Sequence, residues 1–195
     1  MAFLRSISRP DTGRFVFGEG VKLRSPQASD FEEWVSLREI SREFLVPWEP
    51  TWGIDDLTKA SFRHRIRRYQ SEIRQDTAYP FFVFRQEDGA MVGGCTLSNV
   101  HRGVQQDCIL GYWAGAPFAG KGYITRAVRA LIPYAFEELR LHRLEASCVF
   151  ENERSKAVLR RCGFREEGFA RGLFRINGIW RDHVQFAILR DDPRT

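Results

Sequence analysis

The residues best suited to chemistry lie in a glycine-rich bend between a predicted strand and a predicted helix. Residues 110–125 read LGYWAGAPFAGKGYIT, with Gly115, Gly120 and Gly122 placed around a single cation, Lys121. Backbone N–H groups at the start of a helix have no partner within it and carry the positive end of the helix dipole, so they bind anions such as phosphate. Glycine lets a ligand approach the backbone closely. The bend therefore predicts a phosphate-binding loop, with an ordinary glycine turn as the alternative.

The same bend also matches most of a nucleotide-binding pattern. Gly115, Gly120 and Lys121 fit G-x-x-x-x-G-K-[ST], but the next residue is Gly122, which lacks the hydroxyl that would hold Mg²⁺. The strand predicted after the following helix has its only acid, Glu145, near its start, so it offers no obvious metal-holding carboxylate. These departures argue against a nucleotide hydrolase of the P-loop type.

A second polar cluster follows the strand predicted over residues 144–149. Asn152 and Ser155 lie at the start of the helix that leaves this strand. In a sheet covered by helices, two successive strand-to-helix junctions lie at the same edge, so both can contact one ligand. The alternative is that Asn152 is only an N-cap and Ser155 a surface residue of the helix.

Two carboxylates are candidates for a general base. Glu49 lies in a Pro-Trp-Glu-Pro loop that could close over a substrate, and Asp107 opens the strand that leads to the glycine bend. A solvated carboxylate is the alternative for each. His183 lies in a predicted strand, where a hydrogen-bonded structural histidine is the favoured interpretation. Trp48 and Trp52 either wall a substrate site or anchor the loop.

Hydrophobic periodicity predicts the elements that position these residues. Strands are predicted over residues 21–24, 81–85, 91–98, 108–113, 144–149, 164–167, 173–176 and 180–189, and helices over residues 29–44, 62–73, 125–139 and 152–161. The strands are mostly adjacent in sequence and do not alternate regularly with helices. This order predicts an α+β fold, a sheet covered by helices.

Short local signals mark the ends of these elements. Ser29 and Glu32 have the spacing of a capping box, and Pro133 predicts a kink in its helix. Asp88-Gly89 predicts a type I′ hairpin turn, because such turns need positive φ angles. Asn177-Gly178 predicts a second hairpin, and Gly163 suits the left-handed end of a helix.

Composition narrows the class of protein. The chain has 195 residues, 43% hydrophobic and 13% aromatic, which is enough to bury the core of one domain over residues 21–195 behind an irregular arm over 1–20. No apolar run approaches the roughly 18–20 residues that span a bilayer. Residues 1–14 lack the apolar block of a signal peptide. We therefore expect a cytoplasmic protein without membrane contact, with its four cysteines reduced and no metal site.

Together these motifs resemble the GNAT family of N-acetyltransferases. The bend and its helix are similar to the family's acetyl-CoA pyrophosphate loop, Q/R-x-x-G-x-G/A, at residues 119–124, although Ala119 and Ile124 depart from that pattern. Residues 152–164, NERSKAVLRRCGF, are similar to the family's N-x-x-S-x-x-[VL]-[LA]-x-[KR]-x-G-F segment. The resemblance implies a mixed, mostly antiparallel sheet flanked by helices.

Three further segments narrow the resemblance to ribosomal-protein-alanine N-acetyltransferases of the RimJ type. They are residues 44–50, FLVPWEP, residues 98–103, SNVHRG, and residues 177–184, NGIWRDHV. The resemblance implies transfer of an acetyl group from acetyl-CoA to the N-terminal α-amine of a protein, for RimJ a ribosomal protein that begins with Ala. A small-molecule amine acetyltransferase and a weakly catalytic, acetyl-CoA-binding factor associated with the ribosome are the alternatives.

The resemblance also implies roles for individual residues. Ser155 would donate a proton or hydrogen bond to the leaving thiolate. The resemblance does not identify the base, for which Glu49 and Asp107 stay the candidates. A backbone N–H of the strand over residues 109–113, opened by a bulge at Gly111, would bind the oxyanion. The implied acetyl-CoA contacts come from the bend and from the second helix: Trp113, Ala114, Gly120, Lys121, Gly122, Tyr123, Ile124, Thr125, Asn152 and Ser155.

One predicted helix carries a closely spaced run of basic residues. The net charge is +5, and Arg63, Arg65, Arg67 and Arg68 follow one another closely. A solvated helix face is the favoured interpretation, and contact with ribosomal RNA or an acidic substrate segment is the alternative. No dedicated nucleic-acid-binding motif is present, so no sequence-specific nucleic-acid binding is expected.

Overall fold

The computed structural model describes residues 15–193 of the chain and builds them around one mixed sheet. Its eight strands are β1 (Phe15–Gly18), β2 (Val21–Arg24), β3 (Tyr79–Arg85), β4 (Met91–His101), β5 (Asp107–Ala114), β6 (Arg143–Val149), β7 (Arg165–Ile176) and β8 (Ile179–Leu189). The spatial order is β1-β2-β3-β4-β5-β6-β8-β7. Every neighbouring pair is antiparallel except β5 and β6, which are parallel.

Five α-helices cover the two faces of the sheet. They are α1 (Phe31–Ile40), α2 (Arg42–Leu45), α3 (Lys59–Arg74), α4 (Tyr123–Pro133) and α5 (Glu153–Arg161). Helices α4 and α5 pack on one face, where Val128, Leu131 and Leu159 are fully buried. Helices α1 and α3 pack on the other face through Trp34 and Phe62. The α+β class and the mixed, mostly antiparallel sheet agree with the expectation from the sequence.

The start of the sheet differs from the sequence-based expectation. The arm was expected to run through residue 20, but Phe15–Gly18 forms β1 and pairs with β2 from Phe15↔Arg24 to Gly18↔Val21. Val16 is buried in the core beneath α4, and this burial explains why a four-residue edge strand forms here. Residues 1–14 of the expected arm lie outside the described residues.

Two predicted local signals are wrong. Ser29 does not cap α1: it lies within a short 3₁₀ turn, and Asp30 accepts a hydrogen bond from the backbone N–H of Gln27 at 2.7 Å while pairing with Arg24. The turn at Asp88-Gly89 is not type I′, because only Gly89 has a positive φ angle. In contrast, Asn177 and Gly178 both have positive φ angles, as their hairpin requires.

Helix α4 changes its winding after Pro133. The residues Tyr134–Glu138 form a π-helical turn, which starts directly after the proline. Proline has no N–H to continue the α-helical ladder, so the interruption predicted at this position is confirmed. Within residues 15–193, no helix is long and apolar enough to cross a membrane.

Candidate functional site

A cleft opens in the sheet between the two parallel strands. Strands β5 and β6 pair only from Asp107↔Arg143 to Ile109↔Glu145. Beyond this point β5 keeps its pairing with β4, and β6 keeps its pairing with β8, but their facing edges separate. Backbone N–H and C=O groups of β5 from Leu110 onward therefore face a wedge-shaped opening rather than a strand.

The opening does not arise as the sequence analysis expected. Gly111 pairs regularly with Thr96, and the irregularity between β4 and β5 lies instead between Ser98 and His101. The predicted bulge at Gly111 is therefore wrong. The cleft forms because β5 and β6 diverge after the Ile109–Glu145 pair.

Two side chains meet across this cleft. The Tyr112 hydroxyl of β5 and the Ser155 hydroxyl at the start of α5 lie 2.7 Å apart. The Tyr112 hydroxyl also donates to the backbone oxygen of Ser155 at 3.2 Å. Burial raises the pKa of Tyr112 well above its ordinary value, so the phenol remains a proton donor at neutral pH. The pair places two hydroxyl groups where a ligand in the cleft would meet them.

Tyr112 was not among the residues predicted for the site. The alternation of β5 places it on the same face as the buried residues Cys108 and Leu110. A buried tyrosine needs a hydrogen-bond partner for its hydroxyl, so the alternation was a signal available in the sequence. The partner itself comes from α5, and no local pattern reveals it.

Asn152 and Ser155 occupy the positions that the sequence analysis gave them. Asn152 is the N-cap of α5, and its Oδ1 accepts a hydrogen bond from the Ser155 N–H at 3.0 Å. The cap fixes the first turn of α5 and with it the direction of the Ser155 side chain. Cys148, at the end of β6, lies beside Ser155; burial raises the pKa of this thiol, and a hydrogen bond with Ser155 partly opposes that change.

The glycine bend leads into the N-terminus of α4. Gly120 and Gly122 have φ angles of +74° and +80°, and a Cβ atom at either position would project into open space. The first turn of α4 contains no acidic residue. Lys121 and Arg126 add positive charge, and the Arg126 guanidinium donates to the Lys121 carbonyl at 3.4 Å. The unpaired N–H groups at this helix start and the two cations form a site suited to an anion.

The other residues predicted to contact the cofactor make structural contacts. Tyr123 packs edge-on against Phe118, and Ile124 is buried in the core. The Thr125 carbonyl accepts a weak hydrogen bond from the Cys162 thiol. These packed side chains hold the first turn of α4 in place and leave its backbone N–H groups for a ligand.

Trp113 and Ala114 end β5 at the mouth of the cleft. The Trp113 ring lies on the opposite face of the sheet from Tyr112 and 5.0 Å from the Arg38 guanidinium. Its backbone, like that of Ala114, continues the exposed edge of β5. The contacts with acetyl-CoA predicted for these two residues would therefore be made by their backbone groups.

Glu49 lies near the cleft but is fully engaged by other side chains. Its carboxylate receives two hydrogen bonds from Arg38, at 2.8 and 2.5 Å, and one from the Trp52 indole at 2.8 Å. The guanidinium of Arg38 in turn stacks on Trp52 at 4.1 Å. The pair is largely buried, with 13% of Arg38 and 21% of Glu49 exposed. This arrangement anchors the loop between α2 and α3.

The same loop joins the hairpin of β7 and β8. The Asn177 N–H donates to the Glu49 carbonyl at 2.9 Å. On the other side, the Ala116 N–H donates to the Ser41 hydroxyl at 2.8 Å. The segment from Ser41 to Glu49, which includes α2, therefore bridges the two sides of the wedge: Ser41 contacts the chain after β5, and Glu49 contacts the hairpin beyond β6. We call this connection the arch.

Asp107 lies at the opposite end of β5. Five residues separate it from Tyr112, so the two are about 17 Å apart along the extended strand. Its carboxylate is buried and hydrogen-bonds with the His101 ring at 2.8 Å and with Gln105. The structure does not bring Asp107 together with Ser155.

His183 has the structural role that the sequence analysis favoured. The side chain is 3% exposed, and its Nδ1 lies 2.8 Å from the Arg181 carbonyl. The Phe174 ring packs edge-on against it at 5.0 Å. These contacts hold β8 against the bulged part of β7.

Comparison with known proteins places this geometry in one family. Residues 21–165 match the acetyltransferase (GNAT) domain. The probable N-acetyltransferase YjcK of Bacillus subtilis is 37% identical over 175 residues, which cover 90% of this chain and 97% of YjcK. The ribosomal protein uS5-alanine N-acetyltransferase of Escherichia coli is 34% identical over 152 residues, 78% of each chain.

A solved structure shows the same architecture. RimJ of Mycobacterium smegmatis, in complex with CoA-disulfide, superposes with a TM-score of 0.85 at 33% identity and covers 93% of this chain and 88% of its own. The domain match spans most of the chain, and the relatives are similar over most of their length. The resemblance seen in the sequence is confirmed, and the chain belongs to the GNAT family of acetyl-CoA-dependent N-acetyltransferases.

Proposed function

We propose that this enzyme transfers the acetyl group of acetyl-CoA to the N-terminal α-amine of a protein, namely a ribosomal protein that begins with Ala. The observation that carries the proposal is the Tyr112–Ser155 pair, 2.7 Å apart across the wedge between β5 and β6. The substrate class is supported by the relative in E. coli, which is named for alanine acetylation of ribosomal protein uS5.

In the proposed complex, acetyl-CoA spans two strand-to-helix junctions. Its pyrophosphate binds the N–H groups at the start of α4, beside Lys121 and Arg126, where positive φ angles at Gly120 and Gly122 keep the backbone open. Its pantetheine amides pair with the free edge of β5 as an added strand would. This path places the thioester beside Ser155, at the N-terminus of α5.

The proposed reaction is direct attack of a neutral amine on the thioester carbonyl. The C–N bond forms, and a backbone N–H of β5 stabilises the oxyanion of the tetrahedral intermediate. The C–S bond then breaks, and the thiolate takes a proton from the Ser155 hydroxyl. Ser155 regains a proton from Tyr112, and Tyr112 regains one from solvent. The ammonium releases a proton to solvent, so the products are the acetylated N-terminus and free CoA.

An α-amine acceptor agrees with a site whose candidate base, Glu49, is already engaged by Arg38 and Trp52. An α-amine has a pKa of about 7.7–8.0, so roughly a tenth or more is neutral at physiological pH. A lysine amine, with a pKa near 10.4, is neutral to about one part in a thousand or less. We propose that Glu49 holds the arch rather than removing a proton, and that Asp107 takes no part because it lies at the far end of β5.

The test measures CoA release with peptides that begin with Ala, Ser or Met, with a polyamine and an aminoglycoside alongside. The matched control is the same Ala peptide with its α-amine blocked and a lysine left free. We expect turnover on the Ala peptide and none on the blocked one, with mass spectrometry placing the acetyl group on residue 1 of the peptide.

Other outcomes contradict the proposal in distinct ways. Turnover on small amines alone would reject the protein substrate and identify a small-molecule acetyltransferase. Tight acetyl-CoA binding without turnover, even on a folded ribosomal protein with a free N-terminal Ala, would indicate the weakly catalytic binding factor.

A further inference from the structure

Helix α3 carries a stripe of positive charge along one side. Lys59, Arg63, Arg67, Gln70 and Arg74 follow one another at intervals of three or four residues, so they line one side of the helix. From Lys59 to Arg74 the stripe is about 22 Å long. The whole helix holds six cations and one carboxylate, a net charge of +5, which equals the net charge of the entire chain.

The arginines of this stripe lack anionic partners within residues 15–193. Arg63, Arg67 and Arg74 are exposed and form none of the ion pairs found there, and Lys59 lies 3.6 Å from the exposed Glu32. Elsewhere in the described chain some exposed arginines do pair with acids, as in Arg102–Asp76, Arg160–Glu166 and Arg165–Asp192. Charge repulsion along the stripe therefore remains uncompensated, which is unfavourable for the free protein and favourable for a polyanion.

The stripe lies on the flank of α3 that is turned away from β4. The other flank of α3 presents Tyr69 and Glu72 to a surface cavity shared with Thr96 and Ser98 of β4. At the start of the stripe, Lys59 lies 5.5 Å from the ring of Phe31, which follows the segment that leaves β2. Since β2 and β4 lie on opposite sides of β3, we infer that this flank of α3 is turned toward β2 and β1.

Two exposed aromatic rings lie on those strands. Phe15 and Phe17 of β1 are 48% and 66% exposed, and their rings stack at 6.3 Å with an interplanar angle of 26°. The Lys22 ammonium lies 4.3 Å from the Phe15 centroid. Because Val16 points into the core beneath α4, these rings lie on the opposite face, which is the face that carries α3.

We propose that this surface, the stripe of α3 together with Phe15, Phe17 and Lys22, binds single-stranded RNA without sequence preference. Guanidinium groups contact successive phosphates, and unpaired bases stack on the phenylalanine rings. The aromatic rings favour a nucleic acid over an acidic protein segment, and they require bases that are free of a duplex. The choice of RNA rests on the proposed function, because a ribosomal-protein acceptor is assembled with RNA.

The test measures binding of a fluorescein-labelled oligouridine of about 12 nucleotides by anisotropy, without acetyl-CoA or acceptor, at about 50–200 mM salt. Arg63→Gln/Arg67→Gln should weaken binding about tenfold at the lowest salt and reduce the slope of log affinity against log salt by about 1.4. Phe15→Leu/Phe17→Leu should weaken binding about tenfold and leave that slope unchanged. Phe17→Leu alone serves if the double variant does not fold.

Matched controls remove the same groups elsewhere. Arg161→Gln, exposed at the end of α5, and Phe169→Leu, exposed on β7, should bind RNA like the wild type. CoA binding by every variant verifies the fold. Unchanged affinity in the arginine variant, unchanged affinity in the phenylalanine variant, or equal binding of a polyglutamate peptide or a duplex RNA would each overturn the proposal. Because acetylation is not measured, a negative result here leaves the peptide assay as the separate test of acetyl transfer.

Discussion

Ser155 and Tyr112 act as one unit in the proposed reaction, so either substitution should cause a similar loss. Ser155→Ala and Tyr112→Phe should each lower kcat by about 10²-fold, the scale of removing a positioned proton donor. The Kd for acetyl-CoA should change little, because most of that affinity comes from the α4 junction. Steady-state kinetics on an Ala peptide and equilibrium binding of acetyl-CoA measure the two effects.

The double variant tests whether the two hydroxyls are coupled. If they form one proton path, Ser155→Ala/Tyr112→Phe should be little worse than either single variant. Tyr69→Phe is the matched control, since Tyr69 is half-buried on α3 and remote from the cleft. An unchanged kcat for Ser155→Ala would reject its role as the acid.

The pH dependence of kcat/KM should follow the ionisation of the peptide α-amine and not that of the Tyr112 phenol. We expect kcat/KM to rise with pH through the pKa of the peptide amine, about 7.7–8.0, and then to stay level to about pH 10. Tyr112 donates only while it is protonated, so its contribution is lost above its pKa. Burial raises that pKa above the ordinary value, so proton donation by Tyr112 is lost only at a pH above the assayed range. A falling limb below pH 9 would contradict this assignment.

Substitution of Glu49 tests whether this residue anchors its loop or acts as the general base. Glu49→Gln leaves the largely buried Arg38 without a counter-charge, so we expect the free energy of unfolding to fall by about 1–3 kcal/mol. The value of kcat should stay within a few-fold of the wild type. Denaturant unfolding and peptide kinetics measure the two quantities.

The matched control for Glu49 is an exposed ion pair. Glu166→Gln breaks the Arg160–Glu166 pair, whose side chains are about half exposed, and should change stability by less than about 0.5 kcal/mol. A hundredfold loss of kcat in Glu49→Gln with unchanged stability would instead make Glu49 the general base.

At the scale of elements, a substitution at the junction before α4 should affect both the stability of the fold and the affinity for acetyl-CoA, and the two effects can be measured separately. Gly122→Ala places a side chain at φ +80° and into the open space in front of the helix. It should weaken acetyl-CoA binding at least about tenfold and also cost about 1–2 kcal/mol of stability. Calorimetric binding and thermal unfolding separate the two effects.

Gly89→Ala is the control for this variant. Gly89 has a φ angle of +75°, and a Cβ atom there would also meet open space, but the residue lies in the turn between β3 and β4. It should lose similar stability and bind acetyl-CoA normally. Equal affinity in the Gly122 and Gly89 variants would reject the pyrophosphate site at α4.

Sequence patterns predicted the elements whose signals are local. The spacing of Phe62, Ile66 and Ile73 predicted α3, and Asn152 predicted the start of α5, because periodicity and capping depend on near neighbours. Asn177-Gly178 predicted its hairpin for the same reason. These features needed no knowledge of the rest of the chain.

Features that depend on distant partners were missed or misplaced. The wedge forms where β6 leaves β5, and nothing near Gly111 encodes that divergence. The Tyr112–Ser155 contact joins residues 43 positions apart. Asp107 seemed suitable only because the sequence does not show which end of β5 lies beside α5.

At the scale of the whole molecule, acetyl-CoA binding should join two halves of the sheet. CoA at about 100 times its Kd should stabilise the folded state by about 2.7 kcal/mol, which raises Tm by roughly 5–10 °C in a domain of this size. Differential scanning calorimetry measures the shift, with adenosine as the control that lacks both the pyrophosphate and the pantetheine arm. No shift at saturating CoA would contradict the cleft as its site.

The three-residue pairing of β5 with β6 has a consequence for how the chain can be divided. Strands β1–β5 come entirely from residues before 115 and β6–β8 entirely from residues after 142, so between residues 15 and 193 the polypeptide crosses this seam once. A single cut near residues 140–142 would yield two pieces with no interleaved strands. Such pieces are suited to fragment complementation, in which CoA binds both fragments and restored acetyltransferase activity shows that they have associated.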